Sequence, residues 1–446
     1  MLYTKLALVS AFAYAHFACT SAAKVIITDL FHDTEKYYTS ITVGNPAQSF
    51  LVALDTDSTL TWVHGIECPS VDCQRTRFNN LGAAASKEYK RAGDGYEQFY
   101  SFDATNQKSY VAGFLGTDTI TLEQLTVEQD FVPVFESHKV FKDFTDSSKF
   151  VPEGVLGLGV SSTVSTRAIK NLKSVSMPRP YTSFVRNLAE KGLIDKAFSL
   201  YFGSLPLRGI IKGEFVLGGF NENRITEAPH FIPVYRPGGP NEDIRWQVFG
   251  QAFKVYELES QSTLLNDQVD STFAYPDIPT QADPRSSVIY EERFLRDKNE
   301  LFKFATALPF SKLKQGYNNR LYRALTGSDP DKMDLENEPN SYIIDCQFGN
   351  DTTKMLSISF SHQQDSKTDP KPVHVEFPLS HLVIPYFDKD DKHTGCLWGP
   401  QDTEDDSEEM HLGLDILRQI YTTFDFNEYR IGLASAKDTP TKIIVE

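Results

Sequence analysis

Two short runs of residues, one in each half of the chain, combine carboxylates with hydroxyl groups in a pattern that could do chemistry. The first reads DTDS at residues 55–58 and the second reads DSTF at residues 270–273. Two carboxylates that share one proton divide the work of acid and base. The ionised one activates a water, and the protonated one donates to the attacked carbonyl. Asp55 and Asp270 are therefore the predicted catalytic pair for a hydrolysis by general acid–base catalysis.

Strand-like sequence leads into both runs, at residues 49–54 and 262–265. Most of the remaining chain consists of short alternating or β-branched segments separated by turn residues, which is typical of an all-β protein. Two further segments carry apolar residues at helical spacing. The clearest predicted strands are residues 37–43, 50–54, 198–202 and 421–426, and the predicted helices are residues 181–191 and 291–304.

The position of the two runs predicts a fold of two β lobes with a cleft between them. A chain of 446 residues is long enough to bury two cores. We predict a signal peptide at residues 1–22, an N-terminal lobe at residues 24–205 that carries Asp55, and a C-terminal lobe at residues 206–446 that carries Asp270.

Charge and composition exclude several classes of partner. The formal net charge is −16, and no basic stretch offsets it, so a nucleic-acid or anionic membrane partner is not expected. The composition, 40% hydrophobic and 23% charged, is that of a globular protein. The acidic segment at residues 402–409 is predicted to be solvated surface. We expect a monomer; the resemblance described below implies a peptide or protein substrate or ligand in the cleft.

The N-terminus is typical of an export signal. Lys5 supplies a positive charge, residues 6–15 an apolar segment, and small residues follow around Ala22. The apolar segment is shorter than the ~20 residues of a spanning helix, so we expect cleavage, with a retained anchor as the weaker alternative. The mature protein is predicted to be exported to the extracellular space or to an endo-lysosomal vesicle.

Four cysteines remain after the signal peptide, an even number that favours disulfides in an oxidising compartment. Of the three possible pairings we prefer Cys68 with Cys73 and Cys346 with Cys396, because each pair lies within one half of the chain. Asn350 begins the triplet NDT, an acceptor for N-glycosylation that fits export.

Seven segments, in the right order, resemble the pepsin-like family of aspartic proteases. The first catalytic loop of that family resembles residues 54–63 (LDTDSTLTWV), and its closing segment resembles residues 424–434 (FDFNEYRIGLA). The full set is residues 37–48, 54–63, 113–119, 154–159, 218–220, 411–418 and 424–434. The resemblance implies the two-lobed β fold, the same two disulfides, and the hydroxyls of Thr56 and Ser271 as a cross-brace between the two loops.

Both runs depart from the pattern of that family. The resemblance implies glycine at the third position, where its N–H supports the aspartate and its missing side chain lets the loops approach. Asp57 and Thr272 stand there instead, and we expect the charge of Asp57 to raise the pKa values of the pair. At the next position Ser58 keeps the implied hydroxyl, but Phe273 cannot supply one.

The flap that covers the cleft in that family carries a tyrosine followed by glycine. Counting back from Gly113 reaches residues 105–109 (TNQKS), which contain no such pair.

No cofactor and no metal centre are predicted. A minor alternative is that Asp55, Asp57, Asp267 and Asp270 hold a hard cation such as calcium, although protonation would relieve their repulsion equally well. No sequence motif of a metalloprotease is present.

The sequence therefore supports two functions. The favoured one is an exported pepsin-like protein with weak or no peptidase activity, which acts by binding. The other is an active aspartic endopeptidase that works at acidic pH through Asp55, Asp270 and an activated water.

Overall fold

Most of the described part of the chain lies in β-strands. The structure, a computed structural model, describes residues 25–32, 36–70, 73, 77–79, 85–100, 109–138, 140–141, 152–160, 181–203, 213–238, 244–258, 287–294, 300–330, 332–335, 338–362, 371–387, 393–403 and 409–445. Within them the strands are β1 Ile26–His32, β2 Tyr37–Val43, β3 Gln48–Asp55, β4 Trp62–His64, β5 Lys90–Tyr100, β6 Ser109–Leu122, β7 Leu125–His138, β8 Gly154–Gly157, β9 Ala197–Tyr201, β10 Gly213–Leu217, β11 His230–Pro233, β12 Gln247–Glu257, β13 Ser287–Arg293, β14 Leu301–Phe304, β15 Lys312–Leu313, β16 Lys332–Leu335, β17 Glu338–Ile344, β18 Lys354–Phe360, β19 Val373–Pro378, β20 Val383–Phe387, β21 His393–Trp398, β22 Gln401–Asp402, β23 Met410–Leu412, β24 Tyr421–Asp425, β25 Arg430–Ala434 and β26 Lys442–Val445.

Helices are short and few among these residues. The α-helices are α1 Phe184–Glu190, α2 Gln315–Thr326 and α3 Leu414–Leu417, and 3₁₀ turns occupy Cys346–Asn350 and Leu379–Leu382. The four clearest predicted strands are confirmed as β2, β3, β9 and β24, and the helix predicted at residues 181–191 is confirmed as α1.

The helix predicted at residues 291–304 is wrong. Its first residues belong to β13, which pairs with β12, and its last residues form β14, which pairs with β12 and β23. Cross-strand pairing thus overrides the helical spacing of the apolar residues. The helix that the sequence analysis missed, α2, buries Leu321 and Leu325 on one face and ends at Gly327 in the left-handed conformation (φ 80°), a frequent helix stop.

The described strands form three sheets, and the first of them contains strands from both halves of the chain. One has the order β11-β25-β24-β9-β10-β1-β2-β3-β8-β4-β7-β6-β5, the second β22-β15-β23-β14-β12-β18-β19-β26 with β13 also paired to β12, and the third β16-β17-β21-β20. Buried and exposed residues alternate along a strand with one face in the core, and β7 shows this alternation over its first half. This mainly antiparallel, all-β architecture confirms the predicted fold class.

One shared core joins the strands that carry the two halves of the site. Leu54, Leu156, Phe304 and Leu412 are all buried in the same hydrophobic cluster. In addition, the indole N–H of Trp246, just before β12, donates to the carbonyl oxygen of Leu158, just after β8 (2.9 Å). Strands from both halves are therefore packed against each other directly behind the candidate site.

Both predicted disulfides form, Cys68 with Cys73 and Cys346 with Cys396. Asn350, the predicted glycosylation acceptor, lies at the surface at the end of a 3₁₀ turn, so a glycan could be attached without disturbing the core. None of the described helices is long and apolar enough to cross a membrane.

Candidate active site

Asp55 lies at the end of β3, where the strand enters the interior. β3 runs parallel to β8, with Asp55 opposite Gly157, and the N–H of Leu158 donates to the carbonyl oxygen of Asp55. A Cβ atom on Gly157 would come within 2.4 Å of the backbone of Thr59, so only glycine fits behind this loop. The side chain of Asp55 is buried, with 2% of the residue exposed.

The carboxylate of Asp55 is supported by the loop that follows it. Its Oδ1 accepts the backbone N–H groups of Asp57 (2.8 Å) and Ser58 (3.3 Å). Burial raises the pKa of Asp55 to about 7, and the Asp57 carboxylate adds to the rise, while the two N–H donors and Lys303 limit it. The expected effect of Asp57 on the pKa of its neighbour is therefore confirmed in direction. Asp55 is protonated at acidic pH.

Asp57 forms an ion pair with a lysine from the other half of the chain. The Lys303 ammonium lies 3.1 Å from Oδ1 and 3.2 Å from Oδ2 of Asp57. Although burial would raise it, Lys303, helped by Arg245, holds the pKa of Asp57 below its usual range. Asp57 thus stays charged under conditions in which Asp55 holds a proton.

A reciprocal set of hydrogen bonds joins Thr56 to Thr306. The Thr56 hydroxyl donates to the carbonyl oxygen of Phe304 (2.5 Å) and accepts the N–H of Thr306 (3.1 Å). The Thr306 hydroxyl donates to the carbonyl oxygen of Leu54 (3.0 Å) and accepts the N–H of Thr56 (3.1 Å). Each threonine therefore makes in one half the contacts that its partner makes in the other. The two loops are related by an approximate twofold.

The strands behind the two loops follow the same relation. Leu54 on β3 lies opposite Leu156 on the parallel strand β8, and Phe304 on β14 lies opposite Leu412 on the parallel strand β23. The sequence that begins at Leu156 and the sequence that begins at Leu412 both read Leu-Gly-Leu. Leu54 and Phe304 are thus equivalent positions in the two halves, in agreement with the hydrogen bonds between the threonines.

The residue after each equivalent position is Asp55 in one half and Ala305 in the other. Gly413, like Gly157, has no room for a side chain, since a Cβ atom there would lie 2.4 Å from the backbone of the neighbouring loop. Ala305 is buried, with 2% of the residue exposed, as Asp55 is. The position that mirrors Asp55 therefore carries a methyl group and no carboxylate.

The sequence-predicted residues are only partly brought together. Asp55, Thr56, Asp57 and Ser58 form one loop as expected, with Asp57 donating its N–H in the place of the family glycine. The second run, Asp270, Ser271 and Thr272, lies outside the described residues, as do Asp267, Phe273 and residues 105–108 of the flap segment, whose last residue, Ser109, begins β6. The partner of Thr56 in the cross-brace is Thr306, which the sequence analysis did not single out.

The chain is similar to a known protein family over most of its length. Residues 36–436 match the model of the family described as eukaryotic aspartyl protease. The chain belongs to that family. It is 27% identical to rhizopuspepsin-2 of Rhizopus niveus over 216 residues (48% of each chain) and 27% identical to gastricsin of Mus musculus over 241 residues (52% of this chain and 51% of the relative). It is 29% identical to vacuolar protease A of Aspergillus fumigatus over 253 residues, 56% of each chain.

This family membership confirms the resemblance drawn from the seven segments and assigns the fold to pepsin-like aspartic proteases. The chain aligns with about half the length of the curated relatives it matches.

The first prediction concerns the proton on Asp55. With a folded pKa near 7 and an unfolded value near 3.9, Asp55 binds a proton in the folded state that the unfolded chain releases between these values. Its contribution therefore destabilises the fold as pH rises from about 4 to 7. Asp55→Asn should unfold like the wild type at pH about 4 and be more stable by roughly 2–4 kcal/mol at pH about 8, as measured by urea denaturation.

The control for that measurement is Asp195→Asn, the same substitution at an exposed aspartate. A difference between Asp55→Asn and wild type that is the same at both pH values would contradict the raised pKa.

The second prediction concerns the cross-brace. Thr306→Val keeps the shape but removes the hydroxyl, leaving the buried carbonyl of Leu54 and the N–H of Thr56 without their partner. We expect a loss of about 2–4 kcal/mol in the free energy of unfolding, from denaturant titration. Thr306→Ser retains the hydroxyl and should lose less than about 1 kcal/mol. If the two variants lose the same amount, the brace does not stabilise the fold.

Proposed function

We propose that this protein is a pepsin-like homologue that binds peptide or protein segments in the cleft between its lobes and hydrolyses them weakly or not at all. The observation that supports this is the reciprocal bonding of Thr56 and Thr306, because it makes Ala305 the counterpart of Asp55. The family as a whole binds peptides in this cleft, and the two disulfides favour an extracellular or vesicular setting.

Peptide hydrolysis by this kind of site needs both an acid and a base. Two carboxylates that share a proton provide both at once, since the ionised one takes a proton from water while the other donates one. Asp55 alone is a neutral acid below pH about 7 and a lone base above it. The methyl group of Ala305 can neither hold nor release a proton, so the general acid–base cycle has no second member at this position.

Asp57 does not replace the missing partner. Its carboxylate is engaged by Lys303, and its lowered pKa keeps it ionised rather than able to share a proton with Asp55. It also follows Asp55 in the same loop rather than facing it from the other lobe. The ion pair with Lys303 therefore keeps Asp57 ionised, and neither Asp57 nor Ala305 can exchange a proton with Asp55 in the way that the second aspartate of the family does.

The competing function is the active endopeptidase predicted from the Asp55 and Asp270 pair. What favours it is the first loop, in which Asp55 keeps two N–H donors and a buried position at the end of its strand. This function requires Asp270 to supply the second carboxylate from outside the twofold-related loop, so Asp270 is the residue on which the two functions differ.

The third prediction is tested by incubating the purified protein with denatured globin from strongly acidic to neutral pH, with and without a statine-type inhibitor. We expect no inhibitor-sensitive cleavage by the wild type. In the double variant, Ala305→Asp supplies a carboxylate opposite Asp55, and Asp57→Gly removes the additional carboxylate beside it. This variant should show inhibitor-sensitive cleavage. The controls are the same double variant with Asp55→Asn, which should be inactive, and the single variant Asp57→Gly, which should remain inactive.

Binding is measured in parallel by titrating globin peptides into the wild type and displacing them with the inhibitor. Inhibitor-sensitive cleavage by the wild type that is lost in both Asp55→Asn and Asp270→Asn would overturn the proposal in favour of the endopeptidase. Failure of the wild type to bind peptides at all would overturn the binding function.

A further inference from the structure

Lys303 and Asp57 form a charged contact across the seam between the two twofold-related loops. Lys303 lies on β14, and Ala305 is the residue directly after this strand, two positions beyond Lys303. Asp57 follows Asp55 by two residues in the opposite loop. Their ion pair, at 3.1 Å, therefore lies beside Asp55 and Ala305, where the two halves of the chain meet.

The ammonium of Lys303 is nearly inaccessible to water, with 6% of its side chain exposed. A buried ammonium is stable only when charged groups around it compensate the lost hydration. Besides Asp57, the Glu409 carboxylate lies 3.6 Å from it, and that carboxylate accepts the side-chain N–H of buried Gln247 (2.6 Å). Lys303 is thus held by one carboxylate from its own half and by one from the other half.

The carboxylates of Glu409 and Asp57 hold Lys303 to different parts of the chain. Glu409 directly precedes β23, and Gln247 is the first residue of β12 and pairs with Lys303. Both strands pair with β14, so these contacts keep Lys303 in place within the C-terminal half. Asp57 belongs to the loop after β3, in the other half of the chain, so its contact with Lys303 is the one that crosses the seam. The side chain of Asp57 is 40% exposed. Arg245 adds a positive charge near Asp57, whereas His411 is neutral, because burial and the nearby Lys303 lower the pKa of its imidazole to about 3.

We propose that the Asp57–Lys303 ion pair is a clasp between the lobes, which fixes the two loops against each other at the floor of the cleft. The cross-brace of Thr56 and Thr306 joins the loops through neutral hydrogen bonds, and the clasp joins the same loops through opposite charges. This role follows from the contact itself and holds whether or not the cleft hydrolyses peptides.

The clasp is tested by a double-mutant cycle with Asp57→Asn, Lys303→Met and the double variant, using the equilibrium constant of unfolding. Asp57→Asn keeps the size of the side chain and leaves Glu409 to balance Lys303, so these variants retain the fold. We expect a coupling of at least about tenfold, that is about 1.4 kcal/mol. The matched control is Arg186 with Glu190, an ion pair within α1, whose cycle should give a coupling of no more than about twofold.

A second readout separates a clasp between lobes from a local contact. The amides of Thr56 and Thr306 are both bonded across the seam, so hydrogen exchange at these two amides reports its opening. Asp57→Asn and Lys303→Met should each accelerate that exchange by about tenfold, while Lys303→Arg, which keeps the charge, should accelerate it much less. A coupling no larger than that of the control pair, or unchanged exchange at Thr56 and Thr306, would overturn the proposal.

Discussion

The reciprocal hydrogen bonds between Thr56 and Thr306 are the constraint on which the rest of the site depends. Each hydroxyl satisfies a buried carbonyl and a buried N–H of the opposite half, so neither loop can shift without leaving polar groups unpaired in the interior. The packing of β3 on β8 and of β14 on β23 brings the loops to this point, and the threonines fix their register. Because the bonds are reciprocal, they also define which residues of the two halves correspond.

This correspondence between the two halves shows which charged and uncharged groups surround Asp55. The scaffold of an aspartic protease is retained, with a buried aspartate supported by the N–H groups of its own loop. In the other loop Ala305 removes one carboxylate, and at the seam Asp57 and Lys303 add a pair of opposite charges. Among the described residues, Asp55 therefore lies beside the Asp57–Lys303 ion pair and has Ala305 as its counterpart in the other half.

The fold could be predicted from the sequence because alternation, turn residues and the order of seven family-like segments all indicate the same architecture. The candidate site could be predicted only in its first half. The Asp55 loop carries a clear signature, whereas the loop that the hydrogen bonds relate to it carries Ala305 at the equivalent position and so gives no such signature. Spacing was the available signal. Gly157 follows Asp55 by 102 residues (157 − 55), and Gly413 follows Ala305 by 108 (413 − 305) but Asp270 by 143 (413 − 270). Hydrogen bonds between distant loops cannot be deduced from residue types alone.

In the proposed function, Asp55 has no carboxylate partner in the cleft. The most direct test is a crystal structure of the mature protein at acidic pH, in which the distance from the Asp55 carboxylate to every other carboxylate is measured, including that of Asp270. We predict that the methyl group of Ala305 faces Asp55 and that the Asp270 carboxylate lies beyond hydrogen-bonding distance of both Asp55 and any water bound to it. An Asp270 oxygen within hydrogen-bonding distance of an Asp55 oxygen, or of a water shared with it, would contradict the account.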